Sequence, residues 1–185
     1  MGCSSSSVAL VTSIESGDAD SKPQQTGLFT VRQKIVISRT WAHLSDDPTG
    51  YGTKVFLYIF GTYPFIKTLF PVLADLEGDE LVCNSNFKAH ATRFMQAVDA
   101  VVENIDDPDG VMGPFLVGLG RQHVTFGGFK PEYFDAFEEA MTTVWAAELG
   151  AKFDEPARQA WTIVFQFIMQ KLREGYQLQM AESKK

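Results

Sequence analysis

The side chains with the most chemistry in this 185-residue chain are three histidines, His43, His90 and His123, and two cysteines, Cys3 and Cys83. A neutral imidazole is a good ligand for iron. No HxxxH or HExxH spacing joins the histidines, so the sequence does not support a zinc hydrolase of that kind. Two cysteines are too few for a disulfide scaffold or a four-cysteine zinc site. His90 has Phe87 before it and Phe94 one turn after it. His123 follows Leu119 by one turn, and Phe115 and Leu116 by two. Two such histidines on separate helices could face each other across a gap. Two core-edge histidines bonded to backbone carbonyls fit the same pattern, and spacing alone favours that plainer reading. His43 has no partner in any motif and reads as a surface residue.

A second chemistry sits at the start of the chain. Met1-Gly2-Cys3-Ser4-Ser5-Ser6 matches the N-myristoylation pattern, with glycine second and serine sixth. Cys3 is a thiol in place for palmitate. One myristoyl chain gives only marginal membrane binding, and a second makes the anchor stable. No basic cluster assists, and Glu15, Asp18 and Asp20 would be repelled by anionic lipid. A serine-rich tail that matches by chance is the alternative.

The composition narrows the rest. Sixteen basic against twenty-three acidic residues give a net charge of -7, a poor footprint for nucleic acid. The longest apolar run, Val55 to Phe60, is six residues, whereas a membrane-spanning helix needs about twenty. Residues 1–26 are rich in Ser, Gly and Gln and read as a flexible tether. A folded domain is expected over 27–180, with 181–185 frayed.

The elements that must position the histidines read as helices. Thr30 and Gln33 form a capping box, and Ile37, Trp41 and Leu44 predict a first helix over 31–45. Asp47-Pro48 caps a second helix through Val55, Phe56 and Ile59. Tyr63-Pro64 ends it and starts a short third. Residues 69–82 read as a loop with about one turn. Phe87, Ala91, Phe94, Val98, Val101 and Ile105 form the clearest apolar stripe, capped by Asn84 or Ser85 and carrying His90. Asp106 to Gly110 reads as a break, and another helix fits 112–124. Pro131 opens the next, with Phe134, Phe137, Met141, Val144 and Trp145 inward. Asp154 and Pro156 open the last, with Trp161, Val164, Phe165, Ile168 and Leu172 inward. The expectation is an all-α domain of six to eight helices.

Several segments resemble the globin family. Tyr63-Pro64-Phe65-Ile66-Lys67-Thr68-Leu69-Phe70 looks like the turn that ends in the haem-stacking phenylalanine of globins. Phe87-Lys88-Ala89-His90 looks like the distal histidine segment, and Leu119-Gly120-Arg121-Gln122-His123 like the proximal one. Trp41 matches the usual tryptophan of the first helix, and Pro131 with Phe134 the opening of the penultimate helix. The matches run in order over about residues 28–178. The start of the chain most resembles the membrane-associated globin X branch, with neuroglobin and cytoglobin next. The 33-residue interval from His90 to His123 is longer than in myoglobin-like chains.

The resemblance implies a globin fold sandwiching haem b, with His123 as the proximal iron ligand. The other ring nitrogen of His123 should donate to a carbonyl of the preceding turn. It implies that Phe70 stacks on the porphyrin and that Arg93 reaches a propionate. Leu119, Phe134 and Phe137 would line the proximal side and floor, with Phe56 and Phe94 on the distal side. His90 would either hydrogen-bond bound oxygen or ligate iron directly. Two distal phenylalanines make a dry space, which favours the six-coordinate state. The implied ligands are oxygen, carbon monoxide, nitric oxide or nitrite. The implied role is redox, signalling or membrane protection at the cytoplasmic face of the plasma membrane. Oxygen storage or transport is one alternative, and nitrite reduction or nitric oxide dioxygenation with an outside reductant is another. Cys83, at the entry to the His90 helix, reads as a partly buried free thiol or as a redox site that pairs with Cys3 or with a second copy.

Overall fold

The computed structural model describes residues 27–184. The expectations for Gly2, Cys3 and the tail through residue 26 lie outside the described residues. Among the described residues every regular element is helical.

A capping polar residue explains where each long helix but α7 starts. Thr30 and Gln33 make the reciprocal capping box that opens α1 (Val31–Trp41). Asp47 accepts from the Gly50 amide, with Pro48 in the first position, to open α2 (Pro48–Thr62). Pro64 starts the short α3 (Pro64–Lys67). Next, α4 (Gly78–Cys83) fills part of the segment expected as a loop, and begins at a glycine with φ of 51°. Asn84 accepts from the Asn86 and Phe87 amides and opens α5 (Ser85–Glu103). Asp107 and Pro108 open α6 (Pro108–His123) as Asp47 and Pro48 open α2. A 3₁₀ turn over Pro131–Tyr133 leads into α7 (Phe134–Leu149). Asp154 accepts from the Ala157 amide at the start of α8 (Glu155–Glu182).

Three boundaries differ from the sequence expectation. The first helix stops at Trp41 rather than 45, and turns carry the chain on so that Leu44 is buried from outside the helix. The sixth starts at Pro108 rather than 112. The Asp-Asp-Pro segment there is a cap with proline in the first turn, where the missing N–H costs no bond. The last helix runs to Glu182, where the Arg121 guanidinium meets both carboxylate oxygens at 2.7 and 3.0 Å.

Two close crossings set the frame. A Cβ at Gly52 of α2 would overlap the Ala91 carbonyl of α5, so these helices touch backbone to backbone. Gly120 of α6 and Gly175 of α8 form a second crossing. A Cβ on either would lie within 3.0 Å of the other helix's backbone, against Leu172 and Val117 respectively. These contacts bring α5 and α6, the two histidine-bearing helices, each to a fixed partner. The core they enclose includes Ile37, Phe56, Phe87, Met95, Trp145 and Trp161.

Candidate functional site

Between α5 and α6 lies a cavity of about 670 Å³, within the usual size range of small-molecule and cofactor sites. His90 and His123 both line it, with Phe94, Val98, Leu116, Leu119 and Phe134 among its apolar walls.

The place of His90 follows from the Asn84 cap and the Phe87 stripe. The cap fixes where α5 begins, and buried Phe87 turns that face inward. The His90 ring meets the rings of Phe56 at 4.8 Å and Phe70 at 4.9 Å, both edge to face. No protein hydrogen bond reaches it among the described residues. Burial, with the Arg93 and His123 charges behind it, pushes the His90 pKa down to about 4. The ring is therefore a neutral imidazole with a free lone pair at ordinary pH.

His123 closes α6. Its Nδ1 lies 2.9 Å from the Leu119 carbonyl oxygen, one turn back. A carbonyl only accepts, so Nδ1 carries the proton and Nε2 is left as the unprotonated nitrogen. Burial lowers the His123 pKa, and the Leu119 bond opposes part of that shift. Phe129 at 4.9 Å and Phe134 at 5.1 Å pack around the ring.

The remaining sequence candidates divide. Phe56, Phe94, Leu119, Phe134, Phe137 and Arg93 all line the cavity. Phe137, expected on the proximal side, instead packs on Phe56 at 5.4 Å and Phe94 at 5.6 Å, so it belongs with the His90 wall. It shares the cavity face of α7 with Phe134 but lies about one turn further along, past His123 and against the His90 side. Phe70 stands against His90 and is not part of the open lining. Arg93 is exposed at the mouth, beside exposed Gln96 and Gln122. Its charge stays near solvent, where it meets only the polar edge of a guest. Cys83 is exposed at the end of α4, next to the Asn84 cap, and His43 is exposed.

Sequence reasoning missed Met112 and Met169, two flexible apolar side chains of the lining. Met112 lay at the very start of the expected sixth helix, and Met169 beside the α8 stripe. Phe115, noted in the sequence only for its spacing from His123, lines the mouth yet is 53% exposed. Among the described residues no cluster of three or more His, Cys, Asp or Glu could hold a bare metal ion. Two lone imidazoles across an apolar gap suit instead a large, flat, mostly apolar group that brings its own metal and equatorial ligands. The donor set, the lining and the exposed Arg93 fit a haem.

The globin family model matches residues 53–172. The chain is 25% identical to Cytoglobin-2 of Oryzias latipes over 150 residues, covering 80% of this chain and 83% of that one. It is 26% identical to Neuroglobin of Dissostichus mawsoni over 146 residues, covering 78% and 91%. Among solved structures, a hexacoordinated heme protein from an anhydrobiotic tardigrade superposes with a TM-score of 0.75 at 26% identity. That likeness covers 80% of this chain and 96% of the other. The chain belongs to the globin family.

Proposed function

We propose that this globin binds haem b with His123 as the permanent iron ligand and His90 as the sixth ligand at rest. What carries the reading is the apolar cavity with a neutral imidazole on each side, one of them without a hydrogen-bond partner among the described residues. When bound, haem supplies a redox-active iron that takes diatomic ligands such as oxygen reversibly. The side chains do the rest. The Leu119 carbonyl holds the His123 ring in one tautomer and raises the basicity of Nε2. Phe56 and Phe70 hold the His90 ring edge-on, and with Phe94 and Phe137 they exclude water around it. Arg93 at the mouth would hold a propionate by a charge-assisted bond.

A ligand from solution then competes with His90. Its apparent affinity is the intrinsic affinity scaled by the fraction of molecules in which His90 has moved aside. The likeness to the tardigrade protein supports the six-coordinate form. Absorption spectra of the haem-loaded protein and of His90→Leu test the assignment. The parent should be six-coordinate without added ligand, and the variant should lose that spectrum and bind carbon monoxide faster.

The globin X-like start points to a membrane-attached role. Myristate on Gly2 and palmitate on Cys3 would tether the domain to the cytoplasmic face of the plasma membrane. A tethered globin is a poor bulk carrier, so redox signalling or protection of the membrane fits better than oxygen transport.

A further inference from the structure

The three tryptophans of the chain meet in one cluster behind the cavity. Ring centroids lie 5.7 Å apart for Trp41 and Trp161, 5.8 Å for Trp145 and Trp161, and 6.3 Å for Trp41 and Trp145. Phe165 packs on both Trp161 and Trp145, at 5.5 and 5.8 Å. Trp145 and Trp161 are 0% exposed and Trp41 is 6%, so Trp41 is the solvent edge of the group.

Their N–H groups have three different fates. Trp161 Nε1 donates to Thr40 Oγ1 at 2.8 Å, and that hydroxyl in turn donates to the Val36 carbonyl. Trp145 Nε1 is buried without a partner among the described residues. Trp41 Nε1 donates to the Asp99 carboxylate at 2.6 Å. Only Trp41 therefore has a base in contact with its proton. The carboxylate charge also stabilises positive charge on that indole more than on the other two.

Three helices carry both the cluster and the cavity. Asp99 follows the cavity residue Val98 on α5. Trp145 lies two turns beyond Phe137 on α7, and Trp161 two turns before Ile168 on α8. At about 1.5 Å rise per residue, Trp145 and Trp161 lie roughly 10–12 Å along their helices from the cavity residues Phe137 and Ile168.

We propose that Trp145, Trp161 and Trp41 form a relay that drains oxidising equivalents from the haem site to the surface at Trp41, with Asp99 as proton acceptor. It rests on the haem reading above, and the oxidant is a peroxide. Hydrogen peroxide takes up two electrons from the protein and two protons from solvent and gives two waters. The electrons leave the protein one at a time. In each step Trp41 loses one electron toward the cavity and its Nε1 proton passes to Asp99 Oδ1. This leaves a neutral indolyl radical beside a neutral carboxylic acid. Trp41 is buried but is the cluster member nearest solvent, so a one-electron donor of the ascorbate type in solution outside it returns the electron over a short gap, and the proton goes back to Nε1.

The competing explanation is that the Trp41–Asp99 bond merely ties α1 to α5. Asp99→Asn separates the two, because an amide oxygen still accepts the hydrogen bond but is far too weak a base to take the proton. The haem-loaded protein is treated with hydrogen peroxide, freeze-quenched and read by electron paramagnetic resonance with ring-deuterated tryptophan. The same proteins without haem are oxidised by a photogenerated one-electron oxidant, and oxidised residues are mapped by mass spectrometry.

The relay requires a neutral indolyl radical that disappears in Trp41→Phe and becomes a cation radical or is lost in Asp99→Asn. It also requires Trp41 to be the preferred oxidised tryptophan in the haem-free arm. A tyrosyl radical indifferent to both substitutions overturns the proposal. So does preferential oxidation of Trp145 or Trp161 without haem. Oxidation at Trp41 without haem but none with peroxide overturns the link to the cavity. Failure to take up haem shows in the absorption spectrum before peroxide is added, and defeats the haem reading itself.

Discussion

The crossing of α6 and α8 gives a test in which two general effects have opposite signs. Gly120→Ala places a methyl in the last turn of α6, where alanine is favoured over glycine by up to about 1 kcal/mol. Here the added Cβ would sit 2.8 Å from the Leu172 carbonyl carbon and 2.9 Å from its Cα, against 3.4–4 Å for ordinary contact. The obstructing atoms are backbone, so no rotamer change relieves them, and the helices must part by more than half an ångström. Overpacking of that kind costs about 1–3 kcal/mol, and a backbone-on-backbone contact belongs at the upper end. The net expectation is a loss of about 2 kcal/mol, or about 4–8 °C in Tm for a domain of this size. Gly118→Ala is the control. It lies on the same helix, nothing stands within 4 Å of its added Cβ, and it should gain up to about 1 kcal/mol. Urea unfolding of the haem-free protein, followed by circular dichroism, gives both values. A Gly120→Ala protein as stable as the parent, or more so, would refute the crossing. With it would go the account of how α8 holds the helix that ends at His123.

Two further outcomes follow from the site and the tail. His90 and His123 are held neutral by burial, so their folded-state pKa values lie below the unfolded value near 6.5. Their stabilisation is complete above that pH and is lost as pH falls below it, for His90 progressively down to about 4. The haem-free protein should lose about 2 kcal/mol from His90 alone between pH 7 and pH 5, and His90→Leu should remove that share. Equal urea midpoints for the parent at the two pH values would contradict it. Acylation predicts incorporation of labelled myristate in cells that vanishes in Gly2→Ala, together with loss from the membrane fraction. Unchanged labelling in that variant would remove the anchor.

Much of this was legible before any coordinates because the cues are local. Thr30 with Gln33, Asp47 with Pro48, and Asn84 before Phe87 each carry their own cap, and the helices begin there. His90 and His123 were visible as candidates because each sits among apolar residues at helical spacing. Where sequence reading fell short, the missing information was tertiary or ambiguous. Asp107-Pro108 has the same form as Asp47-Pro48, yet the neighbouring Asp106, Asp109 and Gly110 made it look like a breaker. Periodicity gave Phe137 an inward face, and the family resemblance put it on the proximal side and floor; which neighbour that face meets is tertiary information, and Phe137 packs on Phe56 and Phe94. The tryptophan cluster and the Arg121–Glu182 clamp join residues 16–120 positions apart, and no local pattern announces them.

The central claim is that two imidazoles meet one haem iron. Ferric and ferrous absorption spectra of the haem-loaded protein, recorded without added ligand, test it most directly. The account predicts an intense Soret band and a low-spin six-coordinate pattern, converted to five-coordinate by His90→Leu, with haem no longer retained in His123→Ala. A high-spin spectrum that His90→Leu leaves unchanged would contradict the role of His90. Haem retained as firmly in His123→Ala as in the parent would contradict the assignment as a whole.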